Sequence, residues 1–90
     1  MSKEIYLEMT YRHGRPLAGY LYLPRQEGDR AVRSDKAAPG LVVDYASDGR
    51  PIGVEIASPS SVSLQAINEL LTNLHQQTLK EEELAPLLPG

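Results

Sequence analysis

The chain has no cysteine in its 90 residues. A disulfide framework and a thiolate metal site are therefore excluded. It also has no tryptophan and no phenylalanine, and its only aromatic residues are five tyrosines. A core must then be built from Leu, Ile and Val. At this size much of the surface stays exposed, and a thin core of this kind gains stability when the domain pairs with itself. No apolar run approaches the length of a membrane span, and the start of the chain, Met1 to Ile5, has no apolar leader, so a cytoplasmic protein with no membrane partner is expected. The two histidines, His13 and His75, are far apart, which gives no zinc-binding spacing. There is no Gly-x-Ser-x-Gly elbow, no phosphate-binding glycine loop and no interleaved Asp-x-Asp-x-Asp loop for calcium. No cofactor is expected.

The net charge is -3, unevenly placed. Residues 1–50 carry eight Lys or Arg against seven acids, whereas residues 51–90 carry only Lys80 against five glutamates. Counterion-release binding to nucleic acid needs a basic surface. Only Arg25, Arg30, Arg33 and Lys36 cluster in this way, and they read as charges protecting an edge strand. Nucleic acid is not an expected partner.

The hydropathy pattern has two periods. Ile5, Leu7, Met9 and Tyr11 alternate with Tyr6, Glu8, Thr10 and Arg12, which is a half-buried strand. After the turn His13-Gly14-Arg15-Pro16, Leu17 to Leu23 forms a strand that is apolar on both sides and belongs inside the sheet. Leu17, Gly19, Leu21 and Leu23 share one side of it; Ala18, Tyr20 and Tyr22 share the other. Asp29 to Lys36 is a charged edge segment. Leu41 to Tyr45 and Ile52 to Ala57 fold back on each other through Asp48-Gly49. A two-residue turn there sets Tyr45 opposite Ile52, Val43 opposite Val54 and Leu41 opposite Ile56, and places Asp44 and Glu55 together on the other face. A longer loop with a bulge at Gly49 separates those two carboxylates. Gly53, inside the second strand, signals a bulge or the close approach of another backbone.

Beyond Ser58-Pro59-Ser60-Ser61 the period lengthens. Leu64, Ile67, Leu70, Leu71 and Leu74 recur at steps of three and four, which predicts an amphipathic helix from Leu64 to His75 with Ser61 or Ser63 as its N-cap. Thr78 and Glu81 form a capping box that opens a short acidic helix ending at Pro86. The predicted fold is α+β: an antiparallel meander of four to five strands over residues 1–61, packed by one C-terminal helix and an acidic tail over residues 62–90, all one domain.

Several of these elements together resemble a known family. Pro39-Gly40, the run Leu41-Val42-Val43-Asp44-Tyr45, Asp48-Gly49-Arg50 and Gly53-Val54-Glu55-Ile56 are similar to the bacterial domain of unknown function 2283. Ala18 to Leu23 resembles the second strand of that family, although Leu17-Ala18-Gly19 stands where an acidic start is usual, and Ala46 replaces an acid after Asp-Tyr. The resemblance covers Ile5 to Ser61. It implies a small antiparallel meander and no established activity.

Two sets of residues are candidates for function. Tyr6, Tyr20 and Tyr22 fall on one sheet face and supply amphipathic contact area for a protein partner, a second copy of the chain being the simplest cover. A second protein is a further expected partner. Asp44, Glu55 and Arg50 form an alternative polar site, a divalent-cation or acid/base pair. Against that alternative, Asp48 reads as a turn former, and Asp44 and Glu55 as strand-end or cross-strand partners of arginine. The leading expectation is a non-enzymatic, homodimeric interaction module with an antitoxin-like or accessory role.

Overall fold

Period-two alternation folds into five strands, and the period of three to four folds into a helix. In the computed structural model, which describes residues 5–59 and 62–80, these are β1 (Tyr6–Arg12), β2 (Arg15–Tyr22), β3 (Arg33–Ala38), β4 (Leu41–Tyr45), β5 (Pro51–Ile56) and α1 (Leu64–Asn73). The strands form one sheet in the order β1-β2-β5-β4-β3, every neighbouring pair antiparallel. The chain is thus α+β, a five-stranded antiparallel sheet followed by one helix. The sheet joins two locally paired pieces, the hairpin β1–β2 and the run β3–β4–β5, through the β2–β5 ladder. The connection between the pieces, residues 23–32, crosses the end of the sheet. It is tied there by the Leu23 amide donating to the Ile52 carbonyl at 3.2 Å and the Val32 amide donating to the Tyr45 carbonyl at 2.9 Å.

One face of the sheet is dry. Leu21 and Leu23, Leu41 and Val43, and Val54 and Ile56 meet Ile67 and Leu71 of α1 and Leu79 beyond it, all buried in one cluster. Side chains from both the sheet region and the helical region build this cluster. Full burial of Ile67 and Leu71 stabilises by roughly 1.5–3 kcal/mol each relative to exposure. Leu79 is held in place by Asn68, whose side chain donates to the Leu79 carbonyl at 2.9 Å and accepts from the Leu79 amide at 2.8 Å. Leu17 does not join this face. The β1–β2 register shifts between Thr10 and Tyr11, which leaves Leu17 as an extra residue on β2 and half exposed.

The β4–β5 hairpin combines features of both expected turns. The Gly49 amide donates to the Ala46 carbonyl at 3.0 Å, Gly49 is left-handed with φ +91°, and the Ala46 amide donates to the Arg50 carbonyl at 2.9 Å. This is a three-residue loop, and it shifts pairing by one so that Tyr45 opposes Pro51 instead of Ile52. Ile52 is then an extra residue on β5, and this second irregularity restores the register. Asp44 pairs with Gly53, Val43 with Val54 and Leu41 with Ile56. Val42, Asp44, Gly53 and Glu55 consequently lie on the face opposite the core.

The helix is capped at both ends. Ser63, one of the two expected N-caps, accepts from the Ala66 amide at 3.0 Å. The helix ends at Asn73, two residues before the expected His75. His75 itself adopts φ +59°, while the Gln76 amide donates to the Leu71 carbonyl at 2.8 Å and the His75 amide to the Thr72 carbonyl at 3.0 Å. That is a Schellman motif with histidine where glycine is usual. The acidic helix expected to open at Thr78 and end at Pro86 lies, from Glu81 onward, outside the described residues. His75→Gly relieves the left-handed strain and should stabilise the protein by about 1 kcal/mol, seen as a higher urea midpoint with an unchanged slope. An unchanged or lowered midpoint contradicts the cap assignment.

Candidate functional site on the open sheet face

The face opposite the core is ordered in rows by the strand register. Tyr6, Tyr22, Gly53, Asp44 and Ser34 form one row across all five strands, and Glu8, Tyr20, Glu55, Val42 and Lys36 form the next. The three expected tyrosines therefore do share a face. The Tyr6 ring stacks on Tyr22 with centroids 4.5 Å apart and planes within 11°, and Tyr20 meets Tyr22 edge-on at 4.8 Å. Tyr6 is 53% exposed. The Arg25 guanidinium lies 5.1 Å from the Tyr22 ring centre, adding a cation over the aromatic face.

Gly53 explains how Tyr20 reaches across the sheet. Its missing side chain leaves a gap in β5 that the end of the Tyr20 ring fills, and a Cβ there would overlap the Tyr20 hydroxyl. The close approach signalled by this glycine is thus a side chain rather than a backbone. Passing over Gly53, the Tyr20 hydroxyl donates to Asp44 Oδ2 at 2.7 Å, and the Ser34 hydroxyl donates to Asp44 Oδ1 at 2.6 Å. Arg25 donates to the Tyr20 oxygen at 3.2 Å and to the Ile52 carbonyl at 3.0 Å. The network ties β2 to β4 and β3 over the intervening β5. Burial first, and then the hydrogen bond to Asp44, push the Tyr20 hydroxyl well above the usual tyrosine range, so it stays protonated and donates. The hydrogen bond to Glu8, at 3.1 Å, likewise raises Tyr22.

Asp44 and Glu55 share this face, as the two-residue-turn register requires, but no hydrogen bond or ion pair joins them. Both Asp44 oxygens are occupied by hydroxyl donors. Arg50 belongs to a different cluster. It is bidentate to Asp29 at 2.8 and 3.0 Å and reaches Asp48 at 2.6 Å, so the structure does not bring it to Asp44 or Glu55. Asp48 also accepts from the Arg50 amide at 3.1 Å, the turn-forming role read from the sequence. Among the described residues no three His, Asp or Glu side chains converge as metal ligands. Sequence reasoning missed Arg25 and Ser34 as members of the network, because nothing in their spacing marks them; Gly53 was the signal that a large side chain crosses β5.

Comparison with known proteins follows the same segment. Residues 18–58, which run from β2 to just past the end of β5, match the model of the family described as a protein of unknown function (DUF2283). No curated protein and no solved structure matches the chain. Among the described residues no helix is long and apolar enough to cross a membrane.

Gly53→Ala forces the Tyr20 ring off the sheet and should cost about 1–3 kcal/mol. In a Tyr20→Ala background the same change should cost under roughly 0.5 kcal/mol. A double-mutant cycle by urea unfolding checks this, and additive effects would contradict the packing. The hydrogen bonds from Arg50 hold the carboxyls of Asp29 and Asp48 below the usual range. Their contribution is complete above the unfolded-state value, near pH 4, and fades as the pH falls through the lower folded values. Arg50→Met should therefore lower stability at pH 7 and flatten its fall below pH 4, as measured by unfolding at a series of pH values.

Proposed function

We propose that the protein is a non-enzymatic interaction module of the cytoplasm that pairs with itself and offers its tyrosine-bearing sheet face to a second protein. The observation that carries this reading is the stacked Tyr6–Tyr22 pair with Arg25 beside it. Tyrosine and arginine are enriched at protein interfaces, where they give large contact area at low entropic cost. The cross-strand bonds through Tyr20 and Asp44 hold part of this surface in a single arrangement, which lowers the cost of ordering it on binding. An accessory or antitoxin-like role fits the small size and acidic balance of the chain.

The alternative, a divalent-metal or acid/base enzyme using Asp44 and Glu55, has weaker support. Both Asp44 oxygens already accept from hydroxyls, which takes up about half of the carboxylate's acceptor sites, and among the described residues no three His, Asp or Glu side chains converge on a metal position. Glu55 is exposed opposite Tyr20 and Val42. Light scattering over a concentration series should show a mass rising to about twice the 9.9 kDa subunit. Calcium, magnesium and manganese should leave the melting temperature unchanged. A single subunit at every concentration contradicts self-pairing, and a large rise in melting temperature with one ion, lost in Asp44→Ala, establishes the alternative.

A further inference from the structure

The sheet has two edges, and they are built differently. The β3 edge, Arg33-Ser34-Asp35-Lys36-Ala37-Ala38, is charged, short in side chain beyond Lys36, and carries the exposed Arg33–Asp35 ion pair at 3.1 Å. Such charges oppose pairing with another strand. Edge β1 is longer and carries Tyr6, Leu7, Met9 and Tyr11, with Tyr6 and Tyr11 each 53% exposed. Among the described residues β1 pairs only with β2, so its outer backbone groups are open to another strand. Its two charges, Glu8 and Arg12, are of opposite sign and equally spaced about Thr10.

We infer that two copies of the chain join through antiparallel pairing of their β1 strands about Thr10, making one continuous ten-stranded sheet. This rests on the self-pairing reading above and names the surface that performs it. In this register Glu8 of each copy faces Arg12 of the other, Met9 faces Tyr11, and Thr10 faces Thr10. Opposite charges, thioether against aromatic, and threonine against threonine are each favourable cross-strand pairs. A shift of one residue destroys the charge match and moves the apolar set to the wrong face. The two-fold axis is perpendicular to the sheet, so both tyrosine faces point the same way and both helices lie behind. The dimer thus offers one doubled surface to a partner protein.

Because the chain has no native cysteine, a single introduced one reports this contact cleanly. Under mild oxidation Thr10→Cys should form a disulfide-linked dimer, while Lys36→Cys on the other edge should not. In sedimentation experiments Arg12→Glu should raise the dimer dissociation constant about tenfold or more, and Glu8→Arg combined with Arg12→Glu should bring it back to within roughly threefold of the parent. The two arms are independent, so a folding defect in one variant leaves the other decisive. A stable dimer in which Thr10→Cys fails to cross-link, or in which the charge exchange restores nothing, overturns the β1 interface and leaves self-pairing intact. A single subunit under all conditions overturns both.

Discussion

The open face of this sheet depends on one side chain lying across another residue's absence. Tyr20 sits on β2, and Asp44, two strands away, is within reach only because Gly53 on β5 has no side chain between them. The hydrogen bond that results spans a strand that takes no part in it. It fixes the ring that Tyr22 meets edge-on, and Tyr22 in turn carries Tyr6. The same bond uses one oxygen of Asp44 while Ser34 uses the other, so the carboxylate most suggestive of chemistry serves to join strands. A partly buried carboxylate with both oxygens accepting is a stable arrangement, whereas removing either donor would leave an acceptor to be rehydrated.

Two faces of one sheet therefore follow different rules. The covered face is held by nonspecific burial of Leu, Ile and Val under α1, with no aromatic residue in the cluster of buried side chains. The open face is held by directed contacts: stacked rings, hydroxyl-to-carboxylate bonds and a guanidinium. Antiparallel sheets tolerate water on one face when that face carries such groups. Away from both faces, Asp29, Arg50 and Asp48 fasten the long β2–β3 connection to the β4–β5 turn, which keeps the crossing segment against the end of the sheet.

Much of this was legible in the sequence, for identifiable reasons. Apolar residues at every second position, Leu41, Val43 and Tyr45 before Asp48-Gly49 and Ile52, Val54 and Ile56 after it, located the hairpin, and the change of period after Pro59 located the helix with Ser63 as a candidate cap. The loop length was not legible, since Asp-Gly serves both a two-residue turn and the end of a three-residue loop. The compensating extra residue at Ile52 leaves no compositional trace, yet it is what returns Asp44 and Glu55 to a common face. The pairing of β2 with β5 was also hidden, because apolarity on both sides marks a central strand without naming its neighbour. Arg25 and Ser34 join the network through tertiary placement alone, and Arg50, adjacent in sequence to the hairpin carboxylates, is drawn away by Asp29, a residue 21 positions earlier.

The central claim, that the Tyr20 hydroxyl is committed to Asp44 across Gly53, is open to a direct reading in solution. Tyrosine ring carbons can be followed by NMR through an alkaline titration of the intact protein. The account predicts that the Tyr20 signal keeps its protonated position well past pH 10, where an ordinary tyrosine is half ionised. A Tyr20 ring that titrates near pH 10 in the folded protein would contradict it.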